Sequence, residues 1–128
     1  MERILVVDDS VVMRRMIIKV IEMAGVEGAA IDEASDGAEA LAILRDRPAD
    51  LVLTDINMPG MNGEAMLRAI GENAQTAHIP VIVISTDATE SRMKRMLALG
   101  AKGYLTKPFR PAALREQLER IQKASHAV

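Results

Sequence analysis

Two adjacent carboxylates, Asp8 and Asp9, directly follow the apolar run from Ile4 to Val7. Like charges side by side repel each other, and keeping both ionised beside an apolar core is costly unless a cation offsets them. A site of carboxylate oxygens without histidine or cysteine suits a hard cation, and Mg²⁺ commonly binds through one or two carboxylates, several waters and substrate phosphate. The sequence therefore predicts a magnesium site at this acidic pair.

Three more polar side chains, Asp55, Ser85 and Lys107, stand at or shortly after the ends of other apolar runs. A carboxylate can act as a nucleophile and form an aspartyl-phosphate. Asp55 is the best candidate because it ends a central strand, where we expect it to face the acidic pair. Mg²⁺, the Lys107 ammonium and the Ser85 hydroxyl would then offset or bind the oxygens of an incoming phosphoryl group. This pattern indicates phosphoryl transfer with the protein itself as the acceptor.

Each of these residues, taken singly, has an ordinary structural explanation. Asp9 or Ser10 could cap the first helix, and Asp55 could be a turn acid. Ser85 could be a polar strand end, and Lys107 a solvated loop charge. We favour the functional interpretation because these independent coincidences would all have to meet at one edge of one sheet.

The elements that position these residues are predicted from the hydrophobic pattern. Short β-branched runs alternate with longer segments of helical period, which is typical of successive βα units and a parallel sheet covered on both faces. In such a sheet, ligands bind beyond the carboxyl ends of the strands, where the polar residues fall. The predicted strands are Ile4 to Asp8, Ala30 to Ala34, Leu51 to Asp55, Val81 to Ser85 and Gly103 to Leu105.

Apolar residues at helical spacing predict a helix after each strand. In the first helix, the predicted apolar stripe consists of Val12, Met16, Val20 and Met23. We expect most of the nine methionines to fill the core from faces of this kind. The last helix is predicted to start at Pro111, because a missing N–H costs nothing at that position.

Length and composition limit the class of protein. The 128 residues suit a single domain, residues 1–128, with a core from about residue 3 to residue 122 and a frayed tail from 123 to 128. A net charge of −2 with interspersed signs leaves no basic surface that would indicate direct nucleic-acid binding. No cysteine is present, which excludes disulfides and thiolate sites. Without a bilayer-spanning run or a signal-peptide pattern, we expect a cytoplasmic protein with no membrane insertion.

Four motifs together resemble the receiver domain of two-component response regulators. They are V-V-D-D-S at the first strand, L-T-D-I-N-M-P-G-M-N-G at the third, V-I-S-T-D-A at the fourth and G-A-K-G-Y-L-T-K-P-F at the fifth. The resemblance extends from about Arg3 to Gln122 and is greatest to the single-domain chemotaxis type. It implies an α/β, flavodoxin-like, doubly wound sheet of five parallel strands in the order 2-1-3-4-5 with five helices. The chain departs at Thr86, where that type has a smaller alanine, and the bulkier side chain would narrow access to the acceptor.

The resemblance also implies roles for the residues of the site. Asp55 becomes the phosphoacceptor, and Lys107 becomes the partner of the phosphoryl group. Asp8 (through water) and Asp9 form the Mg²⁺ site together with Asp55. The backbone carbonyl of Asn57 is implied as a further ligand of the ion.

A second group of residues is expected to transmit or time the signal. The resemblance makes Ser85 and Tyr104 the switch pair, and it implies a cis peptide before Pro108. We expect Asn57 and Asp87 to tune the rate of dephosphorylation, since both should border the crevice where water attacks. Asp87 alternatively fits the N-cap of the fourth helix, because a glutamate stands three residues further on.

The function implied is that of a stand-alone response regulator. A histidine kinase would phosphorylate Asp55, and the surface of helix four, strand five and helix five would then bind a target such as a flagellar motor switch or a phosphotransfer protein. The pathway implied is chemotaxis, and the only catalysis expected is the protein's own phosphorylation and dephosphorylation. Two alternatives share the aspartyl-phosphate chemistry, namely a phosphorelay intermediate that passes its phosphoryl group to a histidine phosphotransfer protein, and a phosphatase.

Overall fold

The computed structural model describes residues 2–26, 28–56 and 60–126, and strands alternate with helices throughout this part of the chain. The elements are β1 (Arg3–Val7), α1 (Val11–Met23), β2 (Ala30–Ala34), α2 (Gly37–Asp46), β3 (Leu51–Asp55), α3 (Gly63–Glu72), β4 (Val81–Ser85), α4 (Glu90–Ala98), β5 (Gly103–Thr106) and α5 (Pro111–His126). Neighbouring strands pair in parallel, in the order β2-β1-β3-β4-β5. This architecture confirms the predicted flavodoxin-like, doubly wound sheet with five helices.

The inner strands β1, β3 and β4 are buried along almost their whole length, which explains their nearly uninterrupted apolar sequences. Successive side chains of a strand point to opposite faces, so these strands supply two cores. One core, beneath α2, α3 and α4, includes Val7, Val52, Val83, Met66 and Met96. The other, beneath α1 and α5, includes Val6, Leu53, Ile84, Ile17 and Leu114.

Helix α1 contradicts part of the predicted core. Ile17 and Ile21 are buried against the sheet, whereas the side chains of Val12, Met16 and Met23 are 70%, 57% and 60% exposed. Both sets recur at helical spacing, because α1 is apolar around most of its circumference. Three of the four residues of the predicted stripe thus lie on the outer face, whereas Val20 packs against the core with part of its surface exposed. Packing against the sheet, and not periodicity, selects which side of an apolar helix is buried.

The other described methionines do contact a core. Met66 and Met96 are buried, and Met13, Met61 and Met93 pack against a core with part of their surface exposed. The unbranched, flexible methionine side chain is well suited to such irregular spaces. The predicted core role of methionine therefore holds away from the outer face of α1.

Element boundaries differ little from the prediction. β1 ends one residue earlier than predicted, so Asp8 belongs to the following loop, and β5 extends to Thr106. α5 begins at Pro111 as predicted, but it continues to His126, through most of the segment that we expect to fray. Within the described residues, no helix combines the length and the apolar character needed to cross a membrane.

Candidate functional site

The carboxylates of Asp8, Asp9 and Asp55 meet beyond the carboxyl ends of β1 and β3. One oxygen from each lies within 4.8 Å of the others. The pairing of β1 with β3 explains this proximity, because adjacent parallel strands end at the same edge of the sheet. Asp8 and Asp55 are buried and Asp9 is exposed, so the group opens to solvent on the side of Asp9.

Asp8 is held by contacts from several elements. Its backbone N–H donates to the carbonyl oxygen of Ala34 at 3.1 Å, which ties the end of β1 to the end of β2. Its Oδ1 accepts a hydrogen bond from the N–H of Ser10 at 2.9 Å. Of the two candidate caps of α1, the structure uses Ser10, whose hydroxyl accepts from the N–H of Met13. Asp9 is therefore not the N-cap of this helix.

Asp55 ends β3, and a close contact of the next helix crowds its backbone. Oδ1 of Asp55 accepts from the N–H of Ile56 at 2.8 Å. A Cβ atom added at Gly63, the first residue of α3, would lie 2.3 Å from the carbonyl oxygen of Asp55. Only glycine lets the helix begin so close to the end of β3.

The ammonium of Lys107 lies between two of these carboxylates. Nζ is 3.3 Å from Oδ2 of Asp8 and 3.6 Å from Oδ2 of Asp55, and the side chain is only 14% exposed. The peptide bond from Lys107 to Pro108 is cis, which confirms that implication of the sequence. A single ammonium cannot balance Asp8, Asp9 and Asp55 when all of them are ionised, so the group retains negative charge that favours a further cation. The donor atoms offered are oxygens, which fits a hard ion such as Mg²⁺.

Ser85 and Tyr104 both bind the backbone of Asp87. The Ser85 hydroxyl, at the buried end of β4, accepts from the N–H of Asp87 at 3.0 Å. The Tyr104 hydroxyl donates to the carbonyl oxygen of Asp87 at 2.5 Å, and the tyrosine as a whole is only 8% exposed. The two residues predicted as a switch pair are thus connected through one residue of the β4–α4 loop.

The side chain of Asp87 does not cap α4. The N-cap of this helix is Thr89, and it makes no side-chain capping bond. Oδ1 of Asp87 instead accepts from the N–H of Thr89 at 2.9 Å. Hydrogen bonds from Thr89, with a smaller effect of Arg92, hold the pKa of the Asp87 carboxyl below its usual value. The capping interpretation is wrong because a turn closed by the Asp87 side chain precedes the helix.

An apolar groove lies between α1 and the loop that follows β5. Its lining includes Met13, Met16, Thr86 and Phe109, and Lys107 also contributes. Thr86 is exposed, as expected for a residue that borders the approach to the site. Lys107 contributes both to this groove and to the acidic group, so the groove lies next to the site.

The predicted site and the described site differ at Asn57 and Arg14. Asn57 was predicted as a metal ligand and as a residue that tunes dephosphorylation, and it lies outside the described residues. Arg14, in contrast, was not singled out from the sequence, yet its Nη1 donates to the carbonyl oxygen of Asp8 at 2.7 Å. A basic residue one helical turn after the acidic pair is the signal that could have indicated it.

Residues 4–119 match the model of the response regulator receiver domain. The chain belongs to this family. Members of the family take a phosphoryl group from histidine kinases and act as phosphoacceptor switches on downstream targets. The receiver domain described here is of the CheY type.

Individual relatives agree with this assignment. The chain is 37% identical over 119 residues to the chemotaxis protein CheY of Pseudomonas aeruginosa, covering 93% of this chain and 94% of that protein. The structure of the chemotaxis response regulator CheY4 of Vibrio cholerae matches with a TM-score of 0.82 and 33% identity, over 94% of this chain and 98% of that one. CheY in the CheX-CheY-BeF3-Mg complex of Borrelia burgdorferi matches with a TM-score of 0.84 and 31% identity, over 94% and 89%.

Proposed function

We propose that this protein is a chemotaxis response regulator that accepts a phosphoryl group from a histidine kinase on Asp55, in a step that requires Mg²⁺. The observation that carries the proposal is the position of Lys107 between Asp8 and Asp55, beside the exposed carboxylate of Asp9. This arrangement joins a nucleophile, a buried cation and acidic ligands at one opening. The relatives named above, which include chemotaxis proteins, support the pathway.

The metal would be held by the carboxylates of Asp8 (through water), Asp9 and Asp55, with the backbone carbonyl of Asn57 as a further ligand. When bound, Mg²⁺ supplies the positive charge that lets an anionic phosphoryl group approach this acidic group. CheY in the Borrelia burgdorferi complex was obtained with Mg²⁺ and BeF3, which supports the same ion here.

The chain's own residues then perform the transfer. A carboxylate oxygen of Asp55 attacks phosphorus, the new O–P bond forms as the N–P bond of the donor phosphohistidine breaks, and the leaving imidazole nitrogen takes up a proton from solvent. The Lys107 ammonium, 3.6 Å from Oδ2 of Asp55, is close enough to pair with an oxygen of the bound phosphoryl group. The Ser85 hydroxyl would turn from the N–H of Asp87 to bind another of these oxygens.

The donor must pass the rim of this opening, and we propose that its apolar helical surface docks on α1. The groove beside α1 shares Lys107 with the acidic group. The outer face of α1 exposes Val12, Met16 and Met23, which would be buried by such a partner. A docked helix would thereby place its phosphohistidine beside Asp55.

The output surface proposed is that of α4, β5 and α5. Turning the Ser85 hydroxyl toward phosphate removes the acceptor of the Asp87 N–H, which frees the loop that the Tyr104 hydroxyl also binds. This loop leads directly into α4, so its rearrangement would alter what α4 presents to a target such as a flagellar motor switch or a phosphotransfer protein. Asp87 and Asn57 would in addition tune dephosphorylation.

The acceptor is tested by intact-mass measurement after incubation with acetyl phosphate and Mg²⁺. Wild type should gain one base-labile phosphoryl group, and Asp55→Asn should gain none. Asp46→Asn is the matched control, because Asp46 is an exposed aspartate on α2 outside the site. Phosphorylation of Asp55→Asn to the wild-type extent would refute the assignment of the acceptor.

A further inference from the structure

The side chain of Arg14 connects α1, β2 and the loop that carries the acidic pair. Arg14 lies in the first turn of α1. Its Nη1 donates to the carbonyl oxygen of Asp8 at 2.7 Å, and its Nε donates to Oε1 of Glu33 at 3.1 Å. The side chain is only 13% exposed. A guanidinium presents several donors in a rigid, planar arrangement, so these two bonds fix its orientation. Arg14 therefore braces the backbone at the acidic pair against the neighbouring strand.

We infer that Arg14 is a positioning residue for the metal site, an inference that rests on the proposed function of the acidic pair. The carbonyl oxygen of Asp8 belongs to the peptide unit that joins Asp8 to Asp9. Because a peptide unit is planar, its oxygen and the Cα atom at each end lie in one plane. The bond from the Asp8 N–H to the carbonyl oxygen of Ala34 anchors the first end of this unit. The bond from Arg14 then sets the plane and with it the position of the Asp9 Cα atom, from which the side chain starts.

Asp9 needs this indirect support more than its neighbours do. Asp8 is held directly by Ser10 and Lys107, and Asp55 by Ile56 and Lys107. Asp9 is exposed, so surrounding side chains do not enclose its carboxylate. A fixed peptide unit before Asp9 restricts the conformations of this residue, so less conformational entropy is lost when a metal ion binds.

Charge and geometry make opposite predictions for this arginine. Its guanidinium carries a positive charge near the acidic group, so its loss by charge alone would strengthen the binding of a cation. Loss of the support for Asp9 would instead weaken binding, and residues that support metal ligands typically contribute about 10- to 100-fold in affinity. The sign of the change therefore separates a positioning role from a purely electrostatic one.

Arg15 provides a matched control. It is the next residue of α1, and its Nη2 lies 3.7 Å from the other carboxylate oxygen of the same glutamate, Glu33. Its side chain is 71% exposed, in contrast to 13% for that of Arg14. Arg15→Met and Arg14→Met remove the same charge by the same chemical change.

The experiment is a Mg²⁺ titration of the unphosphorylated full-length chain, followed by backbone amide chemical shifts, with a thermal melt of each variant. We expect Arg14→Met to bind Mg²⁺ on the order of tenfold more weakly than wild type. Arg15→Met should bind within about twofold of wild type, or slightly more tightly. Equal or tighter binding by Arg14→Met would overturn the inference. Absence of binding by wild type would overturn the proposed metal site as well, so the two failures are distinguishable.

A second variant tests the inference if Arg14→Met does not fold. Glu33→Gln retains Arg14, which can still donate to the Asp8 carbonyl, but it removes the charged partner of Nε. It should weaken Mg²⁺ binding by a smaller factor, about two- to fivefold, by loosening the guanidinium. If Arg14→Met does not fold, affinity of Glu33→Gln equal to that of wild type would overturn the inference.

Discussion

Helices α1 and α4 begin at the same edge of the sheet, but their outer surfaces differ in chemistry. α1 exposes large apolar side chains, among them Val12 at 70% and Met16 at 57%. α4 carries basic residues in ion pairs, with Arg92 and Arg95 both bonded to Glu64 of α3. An apolar surface gains free energy when a partner covers it, whereas exposed ion pairs contribute little and rearrange easily. We therefore propose that α1 is a constant docking surface and that the surface of α4 changes on phosphorylation.

The attachment of the two helices to the site also differs. α1 is anchored to the sheet by Ile17 and Ile21, which belong to one core, whereas Tyr104 belongs to the other. α4 follows directly on the loop of Asp87, whose backbone is bonded to Ser85 and Tyr104. Arg92 of α4 lies 3.7 Å from the Asp87 carboxylate as well. A change at the Ser85 side chain therefore has a short physical route to α4 through the Asp87 loop.

The largest effect is expected from a charge on the apolar face of α1. Met16→Glu should reduce the rate of phosphotransfer from a chemotaxis histidine kinase by about tenfold or more, since burying such a side chain contributes about 1.5–3 kcal/mol. Phosphorylation by acetyl phosphate should stay within about twofold of wild type, because the small donor needs no docking surface. Both rates are measured from the formation of phosphorylated protein over time.

Leu97→Glu is the matched control for that experiment. Leu97 is an exposed apolar residue of α4, 48% exposed, and it receives the same substitution. It should leave transfer from the kinase unchanged. If Leu97→Glu slows transfer as much as Met16→Glu does, the proposed difference between the two faces is wrong.

An intermediate effect is expected from cutting the link to α4. Ser85→Ala should still accept a phosphoryl group on Asp55 but lose most of the phosphorylation-dependent chemical-shift change at Tyr104 and along α4. The coupling lost is expected to be about 1–3 kcal/mol, which is typical between sites of a switch. The outer face of α1 should show little response in either protein.

Thr86→Ala controls for removal of a hydroxyl near the site. Thr86 is exposed and follows the buried Ser85, and its substitution should preserve the response of α4. A full wild-type response of α4 in Ser85→Ala would show that Ser85 does not relay the signal.

The smallest effect is expected from Glu64→Gln, which removes the acidic partner of the α4 arginines. A hydrogen bond from Arg95 is the main cause that holds the pKa of the Glu64 carboxyl below its usual value. A carboxyl whose pKa is lower in the folded than in the unfolded state stabilises the protein fully above its unfolded-state pKa. This contribution is lost as the pH falls through the folded-state pKa. We expect a loss of at most about 1 kcal/mol at pH 7, because the partners are largely exposed.

Urea unfolding of wild type and Glu64→Gln at several pH values measures this difference. The stability difference should be largest near neutral pH and should shrink as the pH falls below 4.5. An unchanged difference across the acidic range would mean that the charge of Glu64 is not what stabilises the pair.

Much of the fold could be predicted from local pattern. The strands were placed within one residue at each end, because buried parallel strands are short β-branched runs that periodicity and composition both indicate. The convergence of Asp8, Asp55 and Lys107 could also be predicted from the sequence, since the carboxyl ends of parallel strands share one edge of the sheet. The buried stripe of α1 did not, because two apolar stripes of equal period were available and only contact with the sheet chose between them.

The amino-acid sequence by itself determined the alternation of strands and helices and the types of residue at the strand ends, since these depend on neighbours a few positions away. Tertiary structure alone decided the contacts between distant segments. It placed the Arg14 guanidinium between the Asp8 carbonyl and Glu33, and it brought the Tyr104 hydroxyl to the backbone of Asp87. Such hydrogen bonds join residues that come together only when several elements pack at once, so no local spacing encodes them.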